Sequence, residues 1–301
     1  MHASGLGVRK LSDLAYPAYF SSVYQSETLS NQILAKTQLS ILNPTFDSMV
    51  TSYPAELIPE SPESLKHQIA WDNLRVDNIH QQLLLSSGSV DRARITASSS
   101  KSSSKWMQAV PSQQLGLMLD NDTARIAVTL RLGNKICEAH ACVCGSMVDT
   151  NGHHGLACTS AAGFPNTTEP FGISRRDGKR PNGSTSFPWS SGKSLIWDVT
   201  VVDTVASSHV RMTSNKCAAA ADQAERDKHN HYIDLKQIYA FTPLAFESFG
   251  SVGPETELFL KKLGKLMKRN TGEARSLDYL MQMISIAKTE RKRCMHPQHL
   301  L

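Results

Sequence analysis

The sequence predicts a chain of mixed α and β structure. A helical N-terminal region comes first, then a small cysteine- and histidine-rich knuckle, then an α/β region of sheet flanked by helices. Three observations carry that expectation. Apolar residues recur at helical spacing within residues 1–95. Four of the six cysteines, Cys137, Cys142, Cys144 and Cys158, lie within residues 137–158 beside His140, His153 and His154. A β-branched and aromatic run over 195–202, Leu-Ile-Trp-Asp-Val-Thr-Val-Val, is followed by an alanine-rich helical stretch and a second strand-like run.

The elements follow in order. Leu11, Leu14, Ala15, Ala18 and Tyr19 form the first helical stripe, and Leu84 and Leu85 belong to a later one. Pro17, Pro44, Pro54, Pro59 and Pro62 are expected to break this region into short pieces. Residues 98–105, Ser-Ser-Ser-Lys-Ser-Ser-Ser-Lys, read as a mobile loop or linker, because hydroxyl-rich repeats do not make a core. The expected domains are therefore 1–105, 106–160 and 161–301. Leu115, Met118, Leu119, Ile126, Ala127, Leu130 and Leu132 suggest one helix leading to the knuckle. Residues 161–183 read as a loop. From about 180 the order is strand, strand (195–202), helix (215–239), strand (240–249) and two helices, with Leu277, Leu280, Met281 and Ile284 on the core face of the last. A helix between two strands is a crossover unit, which makes this part α/β.

Composition narrows the function classes. The 301 residues are 40% hydrophobic and 20% charged, so the chain is neither wholly disordered nor a membrane protein. No run approaches the ~18 apolar residues that span a bilayer. Residues 1–10 carry no apolar signal core, so a nuclear or cytoplasmic protein is expected, not a secreted one. Net charge is +5, and ten Lys/Arg against four Asp/Glu lie between residues 257 and 293. That run reads either as a solvated helix face or as a footprint for phosphates. The partner it would fit is DNA or RNA, rather than a membrane or a small-molecule substrate.

The clustered cysteines favour metal over disulfides. Cys142-x-Cys144, then His154, then Cys158 make a CCHC set, and thiolates with one imidazole suit structural zinc. Gly145, Gly152 and Gly155 supply tight turns. Cys137 or His140 could replace a ligand, and His153 competes with His154. The alternative is reduced cysteines and loop histidines without metal.

Asp198 is the one charged residue of the 195–202 run, and a lone buried acid needs a partner or a cation. By period-two alternation it shares a face with Ile196 and Thr200. Asn182 ends an adjacent strand upstream, with fifteen residues between it and Asp198. Two carboxylates on neighbouring strands would hold Mg²⁺ for phosphodiester hydrolysis, but only Asp198 is acidic. Lys228 falls on the helical stripe of Ala221 and Ala224, and could reach a phosphate or simply snorkel.

The motifs together resemble a known family. Cys-Val-Cys-Gly (142–145), Val-Asp (148–149) and Gly-Leu-x-Cys (155–158) are followed by Glu-Pro-x-Gly (169–172) and Arg-Asp-Gly-Lys-Arg-Pro (176–181). Trp-Asp-Val-Thr-Val-Val-Asp-Thr (197–204) and Pro-Leu-Ala-Phe-Glu-Ser-x-Gly (243–250) complete the series. Gly-Leu-Gly-Val-Arg (5–9), Leu-Ala-Tyr-Pro-Ala (14–18), Asp-Arg-Ala-Arg (91–94) and Leu-Arg-Leu-Gly (130–133) extend it over nearly the whole chain. This set resembles the C-terminal region of reverse-transcriptase polyproteins of animal non-LTR retroelements. Those end in a CCHC zinc knuckle and a restriction-like endonuclease of the PD-(D/E)xK class. The resemblance implies a DNA-nicking domain, with Zn²⁺ in the knuckle and Mg²⁺ at the cut. It places Asn182 where the family has its first metal-binding Asp, Asp198 as the second, Lys228 as a migrated active-site lysine and Glu169 as a weaker acidic candidate. Two departures stand out. Arg-Pro-Asn-Gly (180–183) replaces Arg-Pro-Asp-Gly, and only ten residues (159–168) fill a stretch that is helical in relatives. The chain also lacks the consecutive Asp-Asp of polymerase sites. The expectation is a nucleic-acid-binding relative with a degenerate nuclease centre. The alternatives are a residual Mg²⁺-dependent endonuclease, or a translated fragment with no selected role.

Overall fold

A computed structural model of the chain describes residues 6, 8–35, 43–142, 145–154 and 180–293, with side chains to residue 290. Cys144, Cys158 and Glu169, and most of the expected 161–183 loop, lie outside the described residues. The chain divides into two compact units, Leu6–Ser86 and a larger one from Ser87 onward. The division falls upstream of the serine-rich tract.

The smaller unit is helical. It contains α1 (Leu11–Ala35), α2 (Pro44–Ser52), a 3-10 turn (Ala55–Leu57), α3 (Pro62–Leu65) and α4 (Gln68–Ser86). Pro44 and Pro62 open helices, where a missing N–H costs nothing, whereas Pro17 lies inside α1 and does not end it. The buried side of α1 is Pro17, Phe20 and Ser21. The expected stripe is therefore out of phase, and Leu11 is 82% exposed. The reason is aromatic packing: Phe20, Phe46 and Trp71 form the core, and the Phe20 ring meets Phe46 edge-on at 5.7 Å.

The larger unit begins with α5 (Ser89–Ser98), α6 (Lys105–Gln108) and α7 (Asn121–Leu132). The expected 115–132 helix starts only at Asn121, because the Asp120 carboxylate accepts the amides of Asp122 and Thr123 and caps it there. The serine-rich tract departs most from its reading. Ser98, Ser103 and Ser104 are buried. The Arg131 guanidinium, itself buried, donates to the carbonyls of Ser98 (2.9 Å) and Ser103 (3.4 Å). Burial first, and the neighbouring Arg94 charge second, lower the Arg131 pKa to about 10. The composition suggested solvation; a cation on α7 turns the same backbone into a packed wall.

A two-stranded hairpin follows, β1 (His140–Ala141) antiparallel to β2 (Met147–Val148). The main sheet has the order β3 (Gly183–Ser190), β4 (Lys193–Val202), β5 (Ala240–Glu247). β3 and β4 are antiparallel; β4 and β5 are parallel, with Asp198 opposite Pro243. The parallel pair is joined by α8 (Val210–Thr213), α9 (Ala219–His231) and a 3-10 turn (Ile233–Gln237). Thus the expected 215–239 helix is a helix plus a turn. α10 (Pro254–Thr271) and α11 (Ser276–Arg293) follow. On α11 the expected face residues Leu277, Leu280, Met281 and Ile284 are half-buried, and Ile286 is its deepest apolar residue at 2% exposure. One core joins Ala93, Ala97, Ile126, Leu130, Cys137, Val148, Val205 and Phe249, so the hairpin is anchored to the body that carries the sheet.

Candidate functional site

Alternation along β4 turns Ile196 and Asp198 to the same face, and both are buried. α9 and the turn after it cover that face. Ile196 clusters with Tyr232, Leu235 and Phe241. One strand step on, the Asp198 carboxylate, 4% exposed, meets Lys228 of α9 as an ion pair through Oδ2 and Nζ. The helical stripe of Ala221 and Lys228 thus places the lysine on the acid. Tyr232, one turn beyond Lys228, completes the centre and was not anticipated from sequence. Its position four residues after Lys228 was the available signal. Burial first, and the Asp198 charge second, push the Tyr232 hydroxyl up to about 12. The hydroxyl also meets the backbone of Arg180.

Asn182 stands beside β4, as its spacing suggested. Its Oδ1 accepts the backbone N–H of Val199 at 2.5 Å, so the side chain extends the β3–β4 pairing. The other buried acids are committed elsewhere. Glu225 of α9 accepts the amides of Glu255 (3.0 Å) and Thr256 (2.8 Å) and the Thr256 hydroxyl (2.7 Å), capping α10. Gly253 makes room for it: a Cβ there would lie 2.2 Å from Glu225 Oε1. Glu247 accepts the amides of Ala220 (2.9 Å) and Ala221 (3.4 Å) and the Ser251 hydroxyl, capping α9. Burial raises the Glu247 pKa against these bonds. Asp203 lies five residues beyond Asp198, about 16 Å along an extended strand. It accepts the Val205 amide and the Ser248 hydroxyl, and burial raises its pKa too.

Mg²⁺ takes oxygen donors, chiefly one or two carboxylates with waters and phosphates. Among the described residues this centre offers one carboxylate, already balanced by an ammonium, and an amide oxygen already bonded. That donor set does not fit the ion.

The hairpin carries the described part of the cysteine- and histidine-rich segment. Cys142 lies just past β1; its amide donates to Ser146 O, and the Gly145 amide donates back to Cys142 O, both at 2.8 Å. Gly145 sits at φ +85°, a conformation this turn reserves for glycine. Cys137 is fully buried and donates to the Asp149 carbonyl at 3.4 Å, so it is a core thiol; burial raises its pKa. His140 Nδ1 meets Glu138 O at 2.9 Å, and His153 Nδ1 meets Asp149 Oδ2 at 3.1 Å. Among the described residues, no three metal-ligating side chains converge. Two of the four expected zinc ligands, Cys144 and Cys158, are not among them.

The C-terminal basic run separates into two kinds of cation. Lys288 turns inward and stacks over Phe246 at 4.9 Å. On α10, Lys261, Lys262, Lys265, Lys268 and Arg269 lie along the exposed side, while Thr256, Leu260 and Gly264 are buried on the other. Lys261 pairs with Glu257 at 2.7 Å, and Lys262 lies over the Trp189 ring at 5.0 Å. No described acid pairs with Lys265, Lys268 or Arg269. No described helix is long and apolar enough to cross a membrane.

Compared with known protein families, curated proteins and solved structures, the chain matches none.

Proposed function

We propose that this chain binds nucleic acid through the outer face of α10, and that its sheet carries a nuclease-like centre unable to cut. The observation that carries the binding is the row of five cations on α10, four of them, Lys262, Lys265, Lys268 and Arg269, without a described acid. Such a row matches a phosphate backbone, and releasing its counterions drives association. The inactivity rests on the centre itself, where Asp198 is neutralised by Lys228 and Asn182 Oδ1 is used by the chain. The likeness to the C-terminal region of non-LTR retroelement polyproteins supports the same reading. In that reading Cys142, Cys144, His154 and Cys158 hold one structural zinc, which metal analysis of the purified chain would count.

The experiment is a salt titration of binding to a labelled 20-bp duplex. Reversing Lys265, Lys268 and Arg269 to Glu should flatten the dependence of log K on log salt by about 0.9 per lost contact. An unchanged slope would sink the reading. On supercoiled plasmid with Mg²⁺, the wild-type chain should leave DNA intact, and Asn182→Asp should introduce nicking by adding a second carboxylate. Wild-type nicking that disappears in Asp198→Ala would mean a living nuclease.

A further inference from the structure

The β3–β4 hairpin displays an aromatic ring that the fold does not use. Phe187 is 80% exposed, on what is an edge strand among the described residues. Its presentation is built into the backbone. The Thr185 hydroxyl takes the place of a ladder group: it accepts the Leu195 amide (3.0 Å) and donates to Phe187 O (2.7 Å). The β3–β4 register shifts between Ser184 and Pro188 and again before Ser190. Such bulges re-aim a side chain. Ser191 and Gly192, both with positive φ, close a tight turn beyond them. Pro188 removes an amide donor from the edge, which disfavours the addition of another strand there.

The hairpin is tied to the basic helix. Trp189, two residues and at most about 7 Å of chain from Phe187, meets the Phe259 ring at 6.0 Å and lies under Lys262. Lys262 begins the row that continues through Lys265, Lys268 and Arg269. An exposed ring beside a line of cations combines stacking with phosphate attraction. Duplex DNA keeps its bases stacked inside and offers such a ring little, whereas a single strand offers base faces and phosphates together.

We propose that the Phe187 hairpin and the α10 cations form a site for single-stranded nucleic acid, with a base stacked on Phe187 and the adjoining phosphates along α10. This deepens the reading of α10 as a nucleic-acid surface and rests on it. The test compares labelled oligo(dT) of twenty nucleotides with a 20-bp duplex on the full chain. Phe187→Ala should weaken single-strand binding about tenfold, the scale of one stacked base, and leave duplex binding unchanged. Phe187→Trp should restore it. Lys265→Glu should weaken both. Thermal melting of each variant checks the fold, and an exposed ring leaves little to lose there. If the wild type binds both oligonucleotides with a steep salt slope and Phe187→Ala changes neither, the stacking site is overturned while the α10 surface stands. If the wild type binds neither, both fall together.

Discussion

The interior of the larger unit and the outer face of α10 treat charge in opposite ways. Inside, each buried acid has a dedicated partner. Asp198 meets Lys228, Glu225 meets the first turn of α10, and Glu247 meets the first turn of α9. Outside, α10 carries five cations, and only Lys261 has an acid of its own among the described residues. A balanced charge deep in a fold is a structural element, and one left open at the surface is available to a ligand. The open charge thus lies on the helix surface and not at the sheet centre, where the resemblance would put a catalytic site.

The largest effect should come from unbalancing the interior. Lys228→Met leaves Asp198 buried without its cation and should cost about 3 kcal/mol in denaturant unfolding. Adding Asp198→Asn to that variant should recover most of the loss. If Lys228→Met is as stable as the wild type, Asp198 is not held by this pair and the contrast fails. Next comes the α10 cap. Glu225→Ala removes an acceptor for two backbone amides and should destabilise by about 2 kcal/mol. The same measurement on Glu257→Ala, an exposed pair, should show less than about 1 kcal/mol. Equal losses would erase the difference between inside and outside.

The smallest effect is a pH dependence. Burial raises the pKa values of Glu247 and Asp203 above their unfolded values. The folded chain then holds protons that the unfolded chain has released. Stability is therefore greatest below the ordinary carboxylate range, and falls as pH rises from there through the raised folded values, by at most about 1.4 kcal/mol per pH unit for each group. Glu247→Gln keeps an oxygen acceptor for the α9 amides and cannot ionise, so its melting temperature should decline less over that window. A parallel decline in both chains would rule out Glu247 as a source.

What was legible in the sequence follows from the range of the physics. The strands and helices after residue 180 could be read because β-branched runs and alanine-rich stretches act over a few neighbours. Asp198 and Lys228 could be singled out because each broke an apolar pattern. Tyr232 escaped because one aromatic residue in a polar helix end breaks none. Glu225 and Glu247 escaped for a different reason: their partners are backbone amides, which have no letter in the sequence. The serine-rich tract was misread because its organising group, Arg131, lies about thirty residues away. The phase of α1 was misjudged because Leu and Ala at helical spacing outnumber the few aromatic residues that form the core.

The same tract has a consequence for the order in which the chain assembles. Ser102 donates to the carbonyl of Gly250, and the Ser251 hydroxyl reaches the Ala97 carbonyl, contacts spanning 148 and 154 residues. During synthesis, the segment near residue 100 leaves the ribosome long before these partners exist. Arg131 emerges early enough to take the Ser98 and Ser103 carbonyls, but the Ser102 hydroxyl and the Ala97 carbonyl must wait until the turn after β5 has emerged. Contacts of such separation close late and slowly. A nascent chain stopped before Gly250 should therefore expose this tract to proteases, and the full chain should protect it.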